Sequence, residues 1–137
     1  MSRLSAAFLL VAMVVVARGP TYAHHSMAIY DVFTTTIEGT VQQFRFVNPH
    51  SVIILKVKAP GGGTLIWHLE GDPPATLARD GYTRNLFRPG DRLRLMVHRV
   101  RSGKAGGLWT PRMVIMKNGR EFIGHQCLSS PDHCNSQ

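Results

Sequence analysis

Residues 92–100 of this 137-residue chain alternate between apolar and polar side chains, and this alternation constrains the fold more than any other feature. Leu93, Leu95 and Val97 occupy every second position, with arginine, methionine and histidine around them. Successive side chains of a β-strand point to opposite faces, so a strand with one buried face has this period. We therefore expect strands that pack on a core with one face and meet water with the other.

Further segments have the composition of strands, and turn residues separate them. β-Branched and aromatic residues concentrate in these segments, whereas Pro and Gly mark the breaks. Gly39 predicts a bulge or bend in the first strand, and Pro111 predicts an edge or bulge in the fifth. Strands two and three should form a hairpin. The predicted strands are residues 34–46, 51–58, 65–70, 92–100 and 108–117, with brief pairing of 121–123 after the Asn118-Gly119 turn.

One short helix is predicted between strands three and four. Pro73-Pro74 opens residues 75–79, since proline is tolerated in the first turn of a helix, and Gly81 stops it. Three strands, a short helix and two strands is the element order of an OB-fold. The predicted fold class is therefore all-β, a small five-stranded OB-like barrel with one short helix.

The first 23 residues have the features of a cleavable secretory signal peptide. Arg3 precedes an apolar run over residues 6–17, and Gly19-Pro20 and small residues lead to a cleavage position after Ala23. The alternative is an uncleaved membrane anchor, but the 12 apolar residues span only about 18 Å of a hydrocarbon core of about 30 Å. We expect a periplasmic or secreted protein that starts at His24 and has no transmembrane segment after processing.

The processed chain is basic. Loss of Arg3 and Arg18 leaves 14 basic and 8 acidic residues, a net charge of +6. On an OB-like barrel a basic strip usually binds single-stranded nucleic acid, but export removes that substrate, so we expect no nucleic-acid partner. The strip is either a solvated strand face or a contact for an anionic surface, a glycan or a periplasmic partner protein. It comprises Arg88, Arg92, Arg94, Arg99 and Arg101.

Several motifs along the chain resemble those of a bacterial family. They are His24-His25-Ser26 with Tyr30-Asp31, Asn48-Pro49-His50, Trp67-His68-Leu69-Glu70, Leu77 with Gly81, and Pro89-Gly90-Asp91. From about His24 to Arg120, the chain is similar to the exported bacterial proteins grouped as domain of unknown function 6152. The resemblance implies an exported, small β-barrel domain, and it brings no catalytic residues or substrate.

No pattern of a known enzyme class occurs in the chain. Nucleophile elbow, phosphate loop, haem-attachment and zinc-protease motifs are absent from the sequence, and no carboxylate pair stands out for acid–base work. We therefore expect a monomeric, non-catalytic binding domain.

Histidines are the main candidate ligands, because neutral imidazole binds zinc and copper. Signal cleavage would leave a free α-amine on His24, so His24 and His25 could chelate Cu(II), with His50 as the best outside contributor. The alternative is an accidental site, since termini are usually mobile and any His-His start binds some copper. His68 and Glu70 share one face of strand three and are weaker metal candidates, because a solvated face explains them more simply.

The tail contains both cysteines of the chain. An even cysteine count in an oxidising compartment favours a disulfide, so we expect Cys127 to pair with Cys134. His125 and His133 lie beside them, which leaves zinc binding as the alternative, although the spacing matches no standard zinc finger. The predicted order is a signal peptide over 1–23, an N-terminal segment with the His pair over 24–33, the barrel over 34–123 and this tail over 124–137.

Overall fold

A computed structural model of the chain describes residues 27–111 and 115–122. The predicted cleavage position at Ala23, the His24-His25 pair and the predicted Cys127–Cys134 disulfide lie outside the described residues. A 3-10 turn, Met27–Ile29, leads into the first strand. The elements that follow are β1 (Tyr30–Arg45), β2 (Val52–Lys58), β3 (Thr64–Glu70), α1 (Pro74–Arg79), β4 (Arg92–Val100), β5 (Gly106–Trp109), β6 (Ile115–Lys117) and β7 (Arg120–Phe122).

Five of these strands close a barrel. β1 pairs with β2, β2 with β3, β3 with β5, β5 with β4, and β4 returns to β1. The β3–β5 pair is parallel, and the other four pairs are antiparallel. This strand order, with α1 between β3 and β4, is that of an OB-like barrel and confirms the predicted fold class. β6 and β7 are additional strands, since β6 pairs with β4 and β7 pairs with β6.

Apolar side chains from the segment after β3 fill part of the core. Leu77 of α1, Tyr82 and Phe87 are buried, and they are followed in chain order by the buried Trp109 and Phe122. The Tyr82 ring lies 5.0 Å from Phe122 and 5.6 Å from Trp109, measured between centroids. The additional strand β7 therefore contributes to the same core as the barrel. No helix within the described residues is long and apolar enough to cross a membrane.

The Pro89-Gly90-Asp91 motif joins three parts of the fold. The Gly90 N–H donates to the carbonyl oxygen of Val41 at 2.9 Å, and the Val41 N–H donates to the carbonyl oxygen of Asp91 at 2.8 Å. The next residue, Arg92, donates its backbone N–H to the side-chain Oδ1 of Asn118 at 2.7 Å. The motif thus fixes the start of β4 against β1 and against the β6–β7 turn.

The first strand begins four residues earlier than the sequence predicts, at Tyr30 rather than Thr34. Tyr30 pairs with Val100 and Thr34 pairs with His98, so three residues of β1 lie opposite one residue of β4. Such a bulge interrupts the period-two pattern from which strands are recognised. Part of the predicted N-terminal segment is therefore a strand of the barrel.

Gly39 marks the place where β1 has a neighbour on each side. It pairs with Val57 of β2 and with Leu93 of β4. A Cβ atom at this position would lie 2.8 Å from the carbonyl oxygen of Lys56, so a side chain has no room. The change of register in this part of the strand occurs between Val41 and Gln43, three residues beyond the predicted position.

The predicted fifth strand, residues 108–117, was wrong as one element: β5 ends at Trp109 and β6 begins at Ile115. Both pair with β4, and Pro111, which has no N–H to donate to a neighbouring strand, lies between them. The brief pairing predicted for residues 121–123 is β7. It follows a turn in which Asn118 and Gly119 have φ values of 49° and 82°, as a type I′ turn requires.

Candidate functional site

The outer surface of β3 carries the titratable residues that the sequence singles out. Trp67 and Leu69 are buried, while His68 is exposed and Glu70 is half-buried, as the alternation predicts. Glu70 pairs with Val52 of β2 in the antiparallel register. We call this surface, with Tyr30 beside it, the His68–Glu70 face.

Tyr30 connects the start of β1 to this face. Its hydroxyl donates to Glu70 Oε2 at 3.1 Å, although the two residues are forty positions apart. Burial, and then the negative charge of Glu70, raise the pKa of Tyr30 to about 12. The hydroxyl therefore stays protonated at neutral pH and remains a donor. This bond connects the first residue of β1 to the last residue of β3.

The turn between β4 and β5 holds the chain just before β1. The Arg101 N–H donates to the carbonyl oxygen of Ile29, and Arg101 Nε donates to the carbonyl oxygen of Tyr30, each at 2.9 Å. His98 Nδ1 lies 2.9 Å from the carbonyl oxygen of Asp31. These contacts hold Ile29 and Tyr30 against the β4–β5 turn. The described chain starts at Met27, three residues before Tyr30.

His50 lies at the same end of the β2–β3 pair as Glu70. It belongs to the loop after β1, which contains a cis peptide bond between Asn48 and Pro49. The Gly71 N–H donates to the carbonyl oxygen of Ser51 at 2.8 Å, which extends the pairing of the two strands by one residue. His50 is thus two residues from Val52, the register partner of Glu70.

The described residues do not assemble a metal centre by themselves. Among residues 27–111 and 115–122, no three His, Cys, Asp or Glu side chains come close enough to hold an ion. His50, His68 and Glu70 are therefore brought to one region of the barrel without forming a complete ligand set. A site with three protein ligands on this surface would need at least one donor from residues outside those ranges.

The arginine strip is divided between two faces of β4. Arg92 and Arg94 point outward, and Arg92 forms an exposed ion pair with Glu38 of β1 at 2.7 Å. These residues, with Met116 of β6, line an open groove of about 530 Å³. The groove therefore contains one carboxylate as well as two guanidinium groups.

The other three arginines have separate surroundings. Arg99 follows Val97 on the inward side, and its guanidinium carbon lies 5.1 Å from the centroid of the Trp67 ring. Arg101 anchors the chain before β1, and the backbone N–H of Arg88 donates to Asp91 Oδ2 at 2.8 Å. The five arginines of the predicted strip therefore do not form one continuous face.

Sequence reasoning did not find the roles of Tyr30 and His98. Their contacts depend on the pairing of β1 with β4, which cannot be predicted from the residues next to them in the sequence. The available signal was the resemblance, because Tyr30-Asp31 belongs to the motifs that carry it.

Comparison with known proteins identifies a family without an assigned role. The family model of DUF6152, a family of unknown function, matches residues 11–110. The chain belongs to this family, and the matched range includes Tyr30, His50, His68 and Glu70 while ending before β6. No curated protein and no solved structure matches the chain.

Proposed function

We propose that this protein is an exported, non-catalytic domain that binds Cu(II) through its processed amino terminus, against the His68–Glu70 face. The hydrogen bond from the Tyr30 hydroxyl to Glu70 carries the proposal. It holds the first residue of β1 beside the surface that carries His68, which supports contact between that surface and donors from the amino terminus.

The amino terminus supplies the chelating group. Cleavage after Ala23 leaves a free α-amine on His24, and an α-amine with an ordinary pKa near 8 is available as a donor at neutral pH. The amine and the His24 imidazole bind one ion together, and His25 adds a further nitrogen. Nitrogen-rich tetragonal ligation suits Cu(II), which has the highest affinity among the divalent first-row metals for such sites.

Chain length allows the two parts to meet. Residues of a 3-10 turn rise by about 2 Å each, so Met27 is about 6 Å from Tyr30 along the chain. Two extended residues from Met27 back to His25 add at most about 7 Å. His25 is therefore within about 13 Å of Tyr30, whose own side chain reaches Glu70.

Calorimetric Cu(II) titration of protein whose intact mass confirms a start at His24 tests the proposal. Replacing His24 and His25 together by alanine should lower the affinity by about a hundredfold, because it removes both imidazoles that bind with the α-amine. His68→Ala, His50→Ala and Glu70→Gln should each lower it by about tenfold, as for groups that ligate or support a metal. Glu38→Gln, an exposed glutamate of β1, is the matched control and should change nothing.

Two outcomes would oppose the proposal. Loss of affinity only when His24 and His25 are replaced, with the three barrel substitutions neutral, would mean an accidental peptide site that does not use the barrel. Indifference to the replacement of His24 and His25 and to all three barrel substitutions would remove copper binding as the function.

A further inference from the structure

The bulge in β1 exposes two large apolar side chains side by side. Val32 is 72% exposed and Phe33 is 82% exposed, the two highest values among the large hydrophobic residues that the structure describes. Met27 and Ile29, in the turn just before, are also exposed. The two extra residues of β1 opposite β4 push this part of the strand outward, so the side chains protrude from the barrel. We call Met27, Ile29, Val32 and Phe33 the apolar tip.

Cations flank the apolar tip. Arg101 donates to the carbonyl oxygens of Ile29 and Tyr30, which places its guanidinium beside the tip. Lys104 is exposed in the same turn between β4 and β5. The exposed Asp31 carboxylate lies 3.9 Å from Arg101 Nε and forms an ion pair with it, whereas Lys104 has no such pair among the ion pairs of the described residues. The tip therefore combines protruding hydrocarbon with positive charge.

We propose that the apolar tip docks the protein on the surface of an anionic phospholipid bilayer. Apolar side chains that enter the region between head groups and acyl chains, together with cations that remain among the head groups, give reversible interfacial binding. The net charge of +6 for the processed chain acts in the same direction. Arg101 belongs to the predicted basic strip as well as to the surroundings of the tip, and the tip begins two residues after His25, so the docking proposal rests on the processed amino terminus of the proposed function.

The size of the tip favours a bilayer over a protein partner. A stable protein interface buries about 800 Å² on each partner, and four side chains expose much less. A lipid surface needs no matching shape, so a small protrusion is sufficient.

Vesicle co-sedimentation tests the docking directly. Protein that starts at His24 should bind vesicles of phosphatidylcholine with about one third phosphatidylglycerol and bind pure phosphatidylcholine at least about fivefold more weakly. The double substitution Val32→Ser and Phe33→Ser should lower the affinity for the anionic vesicles by about tenfold or more, since it removes the apolar groups. Lys104→Glu should lower the affinity for the anionic vesicles alone by about fivefold.

Val47→Ser is the matched control, because Val47 is 45% exposed in the loop that follows the other end of β1. It should bind like the unchanged protein. Phe33→Trp adds a positive signal, a blue shift of its fluorescence when anionic vesicles are added. Absence of vesicle binding, or binding that Val47→Ser weakens as much as the tip substitutions do, would overturn the proposal. So would a dimer that the double substitution dissociates, since the tip would then contact a second copy of the chain.

Discussion

Replacing Gly71 by alanine is expected to lower the free energy of unfolding by about 3 kcal/mol, because it forces a methyl group into a filled core. A Cβ atom on Gly71 would overlap Nε1 and Cε2 of Trp109 and lie 2.7 Å from its Cζ2. The indole cannot move aside, since it is 1% exposed and its centroid lies 6.4 Å from that of Phe87 and 5.6 Å from that of Tyr82. Backbone movement of Gly71 would also disturb its hydrogen bond to Ser51.

Urea denaturation measures the effect, and two further variants define its cause. Gly106→Ala is the control, because the nearest atom to its Cβ is the carbonyl oxygen of His68 at 3.3 Å, and we expect a loss of about 1 kcal/mol or less. Gly71→Ala combined with Trp109→Phe removes the clashing ring atoms, so the two losses should be less than additive by more than about 1 kcal/mol. Additive losses would show that the clash with Trp109 is not the cause.

Removing the Asp91 carboxylate should be nearly as costly, with Asp91→Ala losing about 2 to 3 kcal/mol. Asp91 accepts hydrogen bonds from the backbone N–H of Arg88 and from Asn118 Nδ2, each at 2.8 Å, and lies 3.6 Å from Lys117 Nζ. The side chains of Asp91 and Lys117 are only 14% and 9% exposed, so solvent screens this ion pair weakly. By contrast, Glu38→Gln breaks the exposed pair with Arg92 and should cost less than about 0.5 kcal/mol.

The contribution of Asp91 should depend on pH. Burial alone would raise the pKa of Asp91, but the hydrogen bonds from Arg88 and Asn118 and the charge of Lys117 lower it overall, below its ordinary value of 3.8. The folded state therefore favours the ionised form, and the stabilisation is complete above the unfolded pKa and is lost as the pH falls through the folded pKa. The stability difference between the unchanged protein and Asp91→Ala should be constant from pH 7 to about 5 and shrink below about 4. A difference that stays constant down to pH 2 would contradict this account.

Local patterns predicted the barrel better than they predicted its closure. The alternation over residues 92–100 placed Leu93, Leu95 and Val97 in the core, and the turn signals separated β2, β3 and α1. The start of β1 could not be predicted in this way. Tyr30 is a strand residue because Val100, seventy positions away, pairs with it across a bulge that breaks the alternation.

The candidate site was predictable to the same extent. Alternation within β3 puts His68 and Glu70 on one face, which needs only the neighbouring residues. The bond from Tyr30 to Glu70 was not predictable, because it depends on how β1, β4, β5 and β3 follow one another around the barrel. Alternation also places Arg99 on the inward side of β4 with Val97. The predicted basic strip grouped the arginines by their number alone and so included Arg99, although its side chain lies on the other face from Arg92 and Arg94.

The position of bound Cu(II) tests the central claim most directly, because the ion broadens the NMR signals of nuclei near it. With one equivalent of Cu(II) on protein that starts at His24, the amide signals of Tyr30, of residues 50–52 and of residues 68–70 should broaden. The signals of Arg92 and Asn118 should stay sharp, since Arg92 is eight residues along β4 from Val100, the partner of Tyr30, or about 26 Å. Broadening limited to residues 27–29, with residues 68–70 unaffected, would show that the amino terminus binds copper away from the barrel and would contradict the proposed site.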